Sequence, residues 1–286
     1  MVGLYLCLAT AFSVLLSFFK KLDASATGSG APFLFNSIFA LFAGVVFFVS
    51  SGLRIKLPDG ALLYLPLTIT TYVGSLLFSY LSIKTGPLSI TSVASSFGLL
   101  IPVLYGIIVY GESPSIPFII GLMMLIACII LISADKKENS QRVSLRWAIL
   151  TVLSVAFGGS FTTVQNLVGR AFVGKSNSGI MTLTLLCSAV VFFSVSLMLE
   201  RKKIKERLKS GILYMAGAGI CNGASNLFVL LVIPLMSASV LYPVMSVSSL
   251  VAVLLISAFF FKEHLSKRQW LGVVIGVVSA LLMNLK

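Results

Sequence analysis

Residues 88–139 read LSITSVASSFGLLIPVLYGIIVYGESPSIPFIIGLMMLIACIILISADKKEN, and residues 239–286 read SVLYPVMSVSSLVAVLLISAFFFKEHLSKRQWLGVVIGVVSALLMNLK. Each stretch is a long apolar segment, a short polar hinge with one glutamate, and a second apolar segment with an early glycine. A shift of 151 positions lays Val93 on Val244, Ser95 on Ser246, Leu99 on Leu250, Glu112 on Glu263, Ser115 on Ser266 and Gly121 on Gly272. Leucine and valine matches come cheaply in an apolar chain. Glutamate, serine and glycine matches at one fixed offset do not, and they point to a duplicated unit of about half the chain. The expected halves are 1–139 and 140–286.

Outward from this pair, the rest of the chain is as apolar. Hydrophobic residues make up 58% of it and charged residues 10%, far from the balance of a soluble domain, so most of its surface faces something other than water. A helix needs ~20 residues to cross a ~30 Å hydrocarbon core. Ten stretches meet that length or come close: Val2–Phe19, Pro32–Ser51, Ala61–Ile83, Leu88–Tyr110 and Ile116–Ala134, then Trp147–Phe172, Ile180–Leu199, Gly211–Ile233, Ala238–Phe261 and Gln269–Leu285. None alternates in the manner of a barrel strand, and only helices otherwise satisfy their backbone within lipid. The expected fold is an all-α membrane protein of ten transmembrane helices, five per repeat.

Five is odd, so the second repeat enters the membrane from the opposite side to the first. Inverted repeats of this kind build many secondary transporters, with the substrate site near the bilayer midplane. At the N-terminus, Ala24-Ser25-Ala26 resembles a signal-peptidase site. However, no positive charge precedes the apolar stretch, and Lys20-Lys21 follow it directly, so it reads as a retained helix.

Of the 21 lysines and arginines, sixteen fall in the loops on one side of these ten helices and five on the other. Basic loops stay cytoplasmic, which places both termini outside and makes Arg201–Lys209 the main cytoplasmic loop. The formal net charge of +13 then describes loops beside anionic headgroups. Nucleic acid is excluded as a partner, because the basic clusters are short and interrupted by Glu200 and Glu206. The four cysteines (7, 128, 187 and 221) lie within helices without metal or redox spacing and read as packing residues. His264 is the single histidine, and no Asp or Glu lies in the body of an expected helix. A membrane enzyme needs such groups at depth, so neither catalysis, nor a metal, nor a cofactor is expected.

The helices instead carry neutral polar groups at depth. Asn222 and Asn226 share a face of the eighth helix, Gln165 and Asn166 follow Gly158-Gly159-Ser160 in the sixth, Tyr72 and Ser75 centre on the third, Ser95 on the fourth, and Tyr242 and Ser246 on the ninth. These are the candidate substrate-binding residues. Interhelical hydrogen bonding is the competing explanation for each. Small residues around Asn222, including Gly219 and Gly223, either leave room for a ligand or let helices approach. Gly272 and Gly276 form a GxxxG that packs within the fold or between two copies of the chain. Pro66, Pro102 and Pro243 are candidate kinks. Glu112 and Glu263, at the hinges, are expected to cap the helices that follow them.

Two five-helix repeats, each with a hinge glutamate (Gly111-Glu112-Ser113-Pro114-Ser115, then Lys262-Glu263-His264-Leu265-Ser266) and a glycine-bearing last helix, resemble the EamA-type members of the drug/metabolite transporter superfamily. Lys262 stands where the family's Gly-Glu pair would place glycine. The resemblance implies a ten-helix carrier whose cavity is lined by helices 1–4 and 6–9, with 5 and 10 peripheral. It also implies cytoplasmic termini, opposite to the charge count. The four-helix multidrug relatives use a membrane-embedded glutamate in their first helix. The first helix here offers only Thr10, Ser13 and Ser17, which disfavours proton-coupled cation export by that route. The expected function is therefore a permease or exporter, in the cell membrane, for a small polar metabolite such as an amino acid. The alternatives are a flippase for a lipid-linked substrate or a carrier of quaternary amines.

Overall fold

The structure is a computed structural model and describes residues 2–27, 30–85, 97–133, 144–172, 178–260 and 267–283. Its helices are α1 (Val2–Thr27), α2 (Pro32–Ser50), α3 (Leu65–Thr85), α4 (Leu100–Val109), α5 (Ile116–Ser133), α6 (Leu145–Ala171), α7 (Ser178–Leu199), α8 (Ile204–Val232), α9 (Ala238–Phe260) and α10 (Lys267–Met283), with short 3-10 turns before α3, α4 and α9. Among the described residues, six of these helices are long and apolar enough to span a membrane, while α4, α5, α9 and α10 carry shorter apolar runs. The protein is an all-α membrane protein, with ten α-helices among the described residues. Ser95, Glu263, His264 and Ser266 lie outside the described residues.

Two compact units divide the chain, and each takes helices from both sequence halves. In the first (1–73 and 167–234), α2 packs on α7 and α8, and α8 packs on α1. Glycine allows the approach: a Cβ on Gly219 would fall 2.5 Å from the Phe39 carbonyl, and one on Gly223 2.8 Å from that of Ala43. Ala31, Leu34, Ile38 and Met215 form a buried cluster at one end, with Ile204 and Leu208 packed against it. Phe228 of α8 stacks on Tyr5 and Phe12 of α1. Hydroxyls tie the helices further, Thr68 with Thr184 at 2.7 Å and Ser37 to the Ala189 carbonyl at 2.9 Å.

In the second unit (74–166 and 235–286), α10 packs on α5 and α9, and α9 packs on α4. Val103, Phe118, Leu125, Val244, Val247, Val251 and Met283 form its core. Gly121 admits Met283 and the Ser279 carbonyl, and the Ser279 hydroxyl donates to the Gly121 carbonyl at 2.7 Å. Gly276 faces Cys128, Val247 and Val251, so this GxxxG glycine is occupied within the unit. Val274, Val277 and Leu281 of the same helix are exposed, as suits a lipid-facing surface.

Four details differ from the sequence reading. α1 runs through Lys20 and Lys21 to Thr27. α8 begins at Ile204, inside the expected basic loop, because Ile204 and Leu208 share a face that covers the Ala31–Met215 cluster. Pro66 and Pro102 lie in the first turns of α3 and α4, where the missing N–H had no intrahelical acceptor to lose, so neither kinks a helix. Pro243 alone of the three lies inside a helix. Finally, Gly219 and Gly223 serve close packing and open no space beside Asn222.

Candidate functional site

Polar groups in α6 are the most deeply buried of the candidates. The helix crosses its neighbours at Gly158-Gly159: a Cβ on Gly158 would crowd the Ser75 hydroxyl of α3, and one on Gly159 would meet the Gly98 carbonyl at 2.6 Å. Thr162 and Thr163 turn their hydroxyls back onto the Gly159 carbonyl, each at 2.8 Å, which leaves those side chains spent on their own helix. One turn on, Gln165 is 2% and Asn166 1% exposed. Both amide atoms of Asn166 are buried without a hydrogen-bond partner, a state that costs ~1–3 kcal/mol unless something satisfies them. Tyr242 of α9 donates to the Thr162 carbonyl at 2.9 Å, fixing α9 beside this turn, and Ser246 lies one turn further along, half-buried.

The second unit thus holds Ser75, Gln165, Asn166, Tyr242 and Ser246. The first holds Tyr72, buried, and Asn222 and Asn226, half-buried. Asn226 donates to both the backbone carbonyl and the side-chain oxygen of Asn222, at 2.9 and 3.1 Å. These two amides therefore satisfy each other in part, along one helix.

Three acidic residues matter in ways the sequence reading did not find. α2 starts at Ala31, whose side chain offers no cap and whose φ of 97° is left-handed, followed by Pro32, which has no N–H. The next two donors, Phe33 and Leu34, are taken by the carboxylate of Glu200 at 3.1 and 2.9 Å, and the Ser196 hydroxyl donates to the same carboxylate at 2.9 Å. Glu112 does the same for α9, accepting from Ala238 and Ser239 at 3.2 and 3.1 Å. This corrects the expected cap: Glu112 serves a helix 126 residues away, while α5 is capped by the Ser115 hydroxyl accepting from the Phe118 N–H. Both glutamates follow the C-terminal ends of apolar helices, where the dipole disfavours an anion, and each is met instead by the N-terminus of another helix. The third acid, Asp23, forms a buried ion pair with Arg207 between α1 and α8. Among the described residues no group of three or more His, Cys, Asp or Glu side chains can hold a metal ion.

The profile of the EamA-like transporter family matches residues 145–285. A protein of Pseudomonas fluorescens, named Probable 4-amino-4-deoxy-L-arabinose-phosphoundecaprenol flippase subunit ArnE, is 35% identical over 79 residues, which are 28% of this chain and 67% of that protein. The chain belongs to the EamA-like transporter family. As an EamA-type member of the drug/metabolite transporter superfamily, it is a membrane transporter. A shared fold extends over the whole length: a solved crystal structure, 14% identical, superposes with a TM-score of 0.78 over 99% of this chain and 96% of its own.

Proposed function

We propose that this EamA transporter carries a small polar metabolite, neutral or zwitterionic, such as an amino acid, by alternating access, and that the α6 amides bind it. The observation that supports this reading is Asn166, 1% exposed with donor and acceptor both unpartnered. An amide offers one acceptor and two donors and no charge, which suits a polar group without net charge. Ser75, Tyr242 and Ser246 are proposed as further contacts. Asn222 and Asn226 belong to the first unit and use part of their amide capacity on each other, so they are not counted in this site.

Proteoliposomes loaded with a panel of amino acids, nucleosides and quaternary amines test the class directly. Asn166→Leu is the decisive variant. It removes an unsatisfied buried amide, so ligand-free stability should hold or rise, while the apparent transport constant should worsen by about tenfold or more. Lost stability with undiminished transport would overturn the assignment. The ArnE relative favours a second reading, a flippase for a lipid-linked sugar, in which case the panel stays silent and a polyprenyl-phosphate sugar crosses instead.

A further inference from the structure

The second unit contains a cavity of about 600 Å³ at the α4–α5 hinge, whose lining includes none of the α6 amides. Its polar lining includes Glu112, Ser113, Ser115 and Ser239, and its apolar lining includes Phe118 and Met283. Glu112 is the one ionisable side chain among the described lining residues. Its carboxylate is fixed in place by the first two N–H groups of α9, so the negative charge is positioned before any ligand arrives. Gly106 makes the room: a Cβ there would fall 2.6 Å from the carboxylate. Ser113 is exposed and gives access from the surface. Beside the opening, Ile116 is 75% and Leu235 57% exposed, an apolar approach at a hinge between membrane helices. The volume lies within the range of small-molecule sites, which are mostly apolar with a few placed polar groups.

We infer that this cavity binds an ammonium group carried on an apolar body, the ammonium on Glu112 and the serine hydroxyls and the body against Phe118 and Met283. The carboxylate repels anions, and a serine hydroxyl accepts an N–H as readily as it donates. Such a group comes either from a free alkylamine or from a lipid headgroup with a primary amine. The inference does not depend on what the transporter carries.

The test uses the full chain in an uncharged maltoside detergent, with three probes of one tail length: octylamine, 1-octanol and octanoate. Octylamine should bind about tenfold or more tighter than octanol, because only it gains a charge-assisted hydrogen bond, and octanoate should be weakest. Dihexanoyl phosphatidylethanolamine then separates the sources: binding as tight as octylamine supports a lipid, and octylamine binding alone supports a free amine. A diazirine-bearing octylamine should label residues 110–118 or 235–240. Ser113→Trp, which leaves the Glu112 cap intact and obstructs the opening, should abolish the difference between octylamine and octanol. Glu112→Gln should abolish it too. Equal binding of octylamine and octanol, labelling confined to other segments, or undiminished octylamine binding in Ser113→Trp overturns the inference.

Discussion

At the scale of single residues, the buried charges separate by whether they can shed their charge. Asp23 lies beyond the apolar span Val2–Lys20, and burial pushes its carboxyl above the usual range despite the opposing pull of Arg207. When Arg207 is replaced by methionine, Asp23 can take up a proton and become neutral. When Asp23 is replaced by asparagine, the guanidinium cannot neutralise and stays buried as a charge. Breaking a buried pair costs ~3–5 kcal/mol when the survivor remains charged. Asp23→Asn should therefore lower thermal stability clearly more than Arg207→Met, and equal losses would refute the argument. Glu200 gives a second residue-level test. It holds two backbone donors and a hydroxyl at 9% exposure, so Glu200→Gln, which removes the charge, should cost ~1–3 kcal/mol. Exposed Glu206 provides the control, and its glutamine variant should melt like the parent. Of all this, the sequence displayed only the acids. It could not display their partners, because Glu200 and Phe33 lie 167 positions apart, and no local pattern links residues at that distance.

At the scale of elements, helix existence was legible and helix ends were not. α2 and α7 came within a residue or two, since apolar composition alone bounds them. The start of α8 was missed because its polar residues Lys203 to Lys209 look like loop, while every fourth residue beneath them, Ile204 and Leu208, is apolar and packed. Small residues were the ambiguous signal. In the sequence a glycine beside Asn222 means close packing or open space with equal force, and the position of α2 decides for packing. That decision has a measurable consequence. Gly223→Leu would drive a branched side chain into the Ala43 carbonyl and the Val46 Cβ, both within 3 Å of where its Cβ must sit. Overpacking typically costs ~1–3 kcal/mol, and backbone on the receiving side gives little, so the loss should reach or exceed the top of that range. Gly3→Leu, with nothing within 4 Å, should be neutral. If the Gly223 variant melted like its parent, the contact between α8 and α2 would not be as close as described.

At the scale of the whole molecule, the family and the charge distribution lead to opposite statements about which side is which. The EamA resemblance comes with an expectation of cytoplasmic termini, whereas sixteen of 21 basic residues lie in loops or at helix ends that this arrangement would place outside. The structure alters the weights only slightly. Arg207 is buried and paired, so it is a poor topogenic charge, but Arg201, Lys202, Lys203, Lys205 and Lys209 around it are exposed. The positive-inside bias counts Lys and Arg near helix ends, with acids contributing little, so Glu200, Glu206 and Asp23 do not cancel them. Translocating these five exposed cations, three between α7 and α8 and two in the first turns of α8, works against the membrane potential and against their attraction to anionic headgroups at ~1 kcal/mol each. We therefore expect both termini outside. A C-terminal fluorescent reporter that matures only in the cytoplasm should stay dark, and a cysteine placed at Lys202 should resist an impermeant thiol reagent added outside, in a background with the four native cysteines replaced. A bright reporter together with a labelled position 202 would reverse the assignment, and would mean that the folded repeat, rather than the loop charges, governs insertion of this transporter.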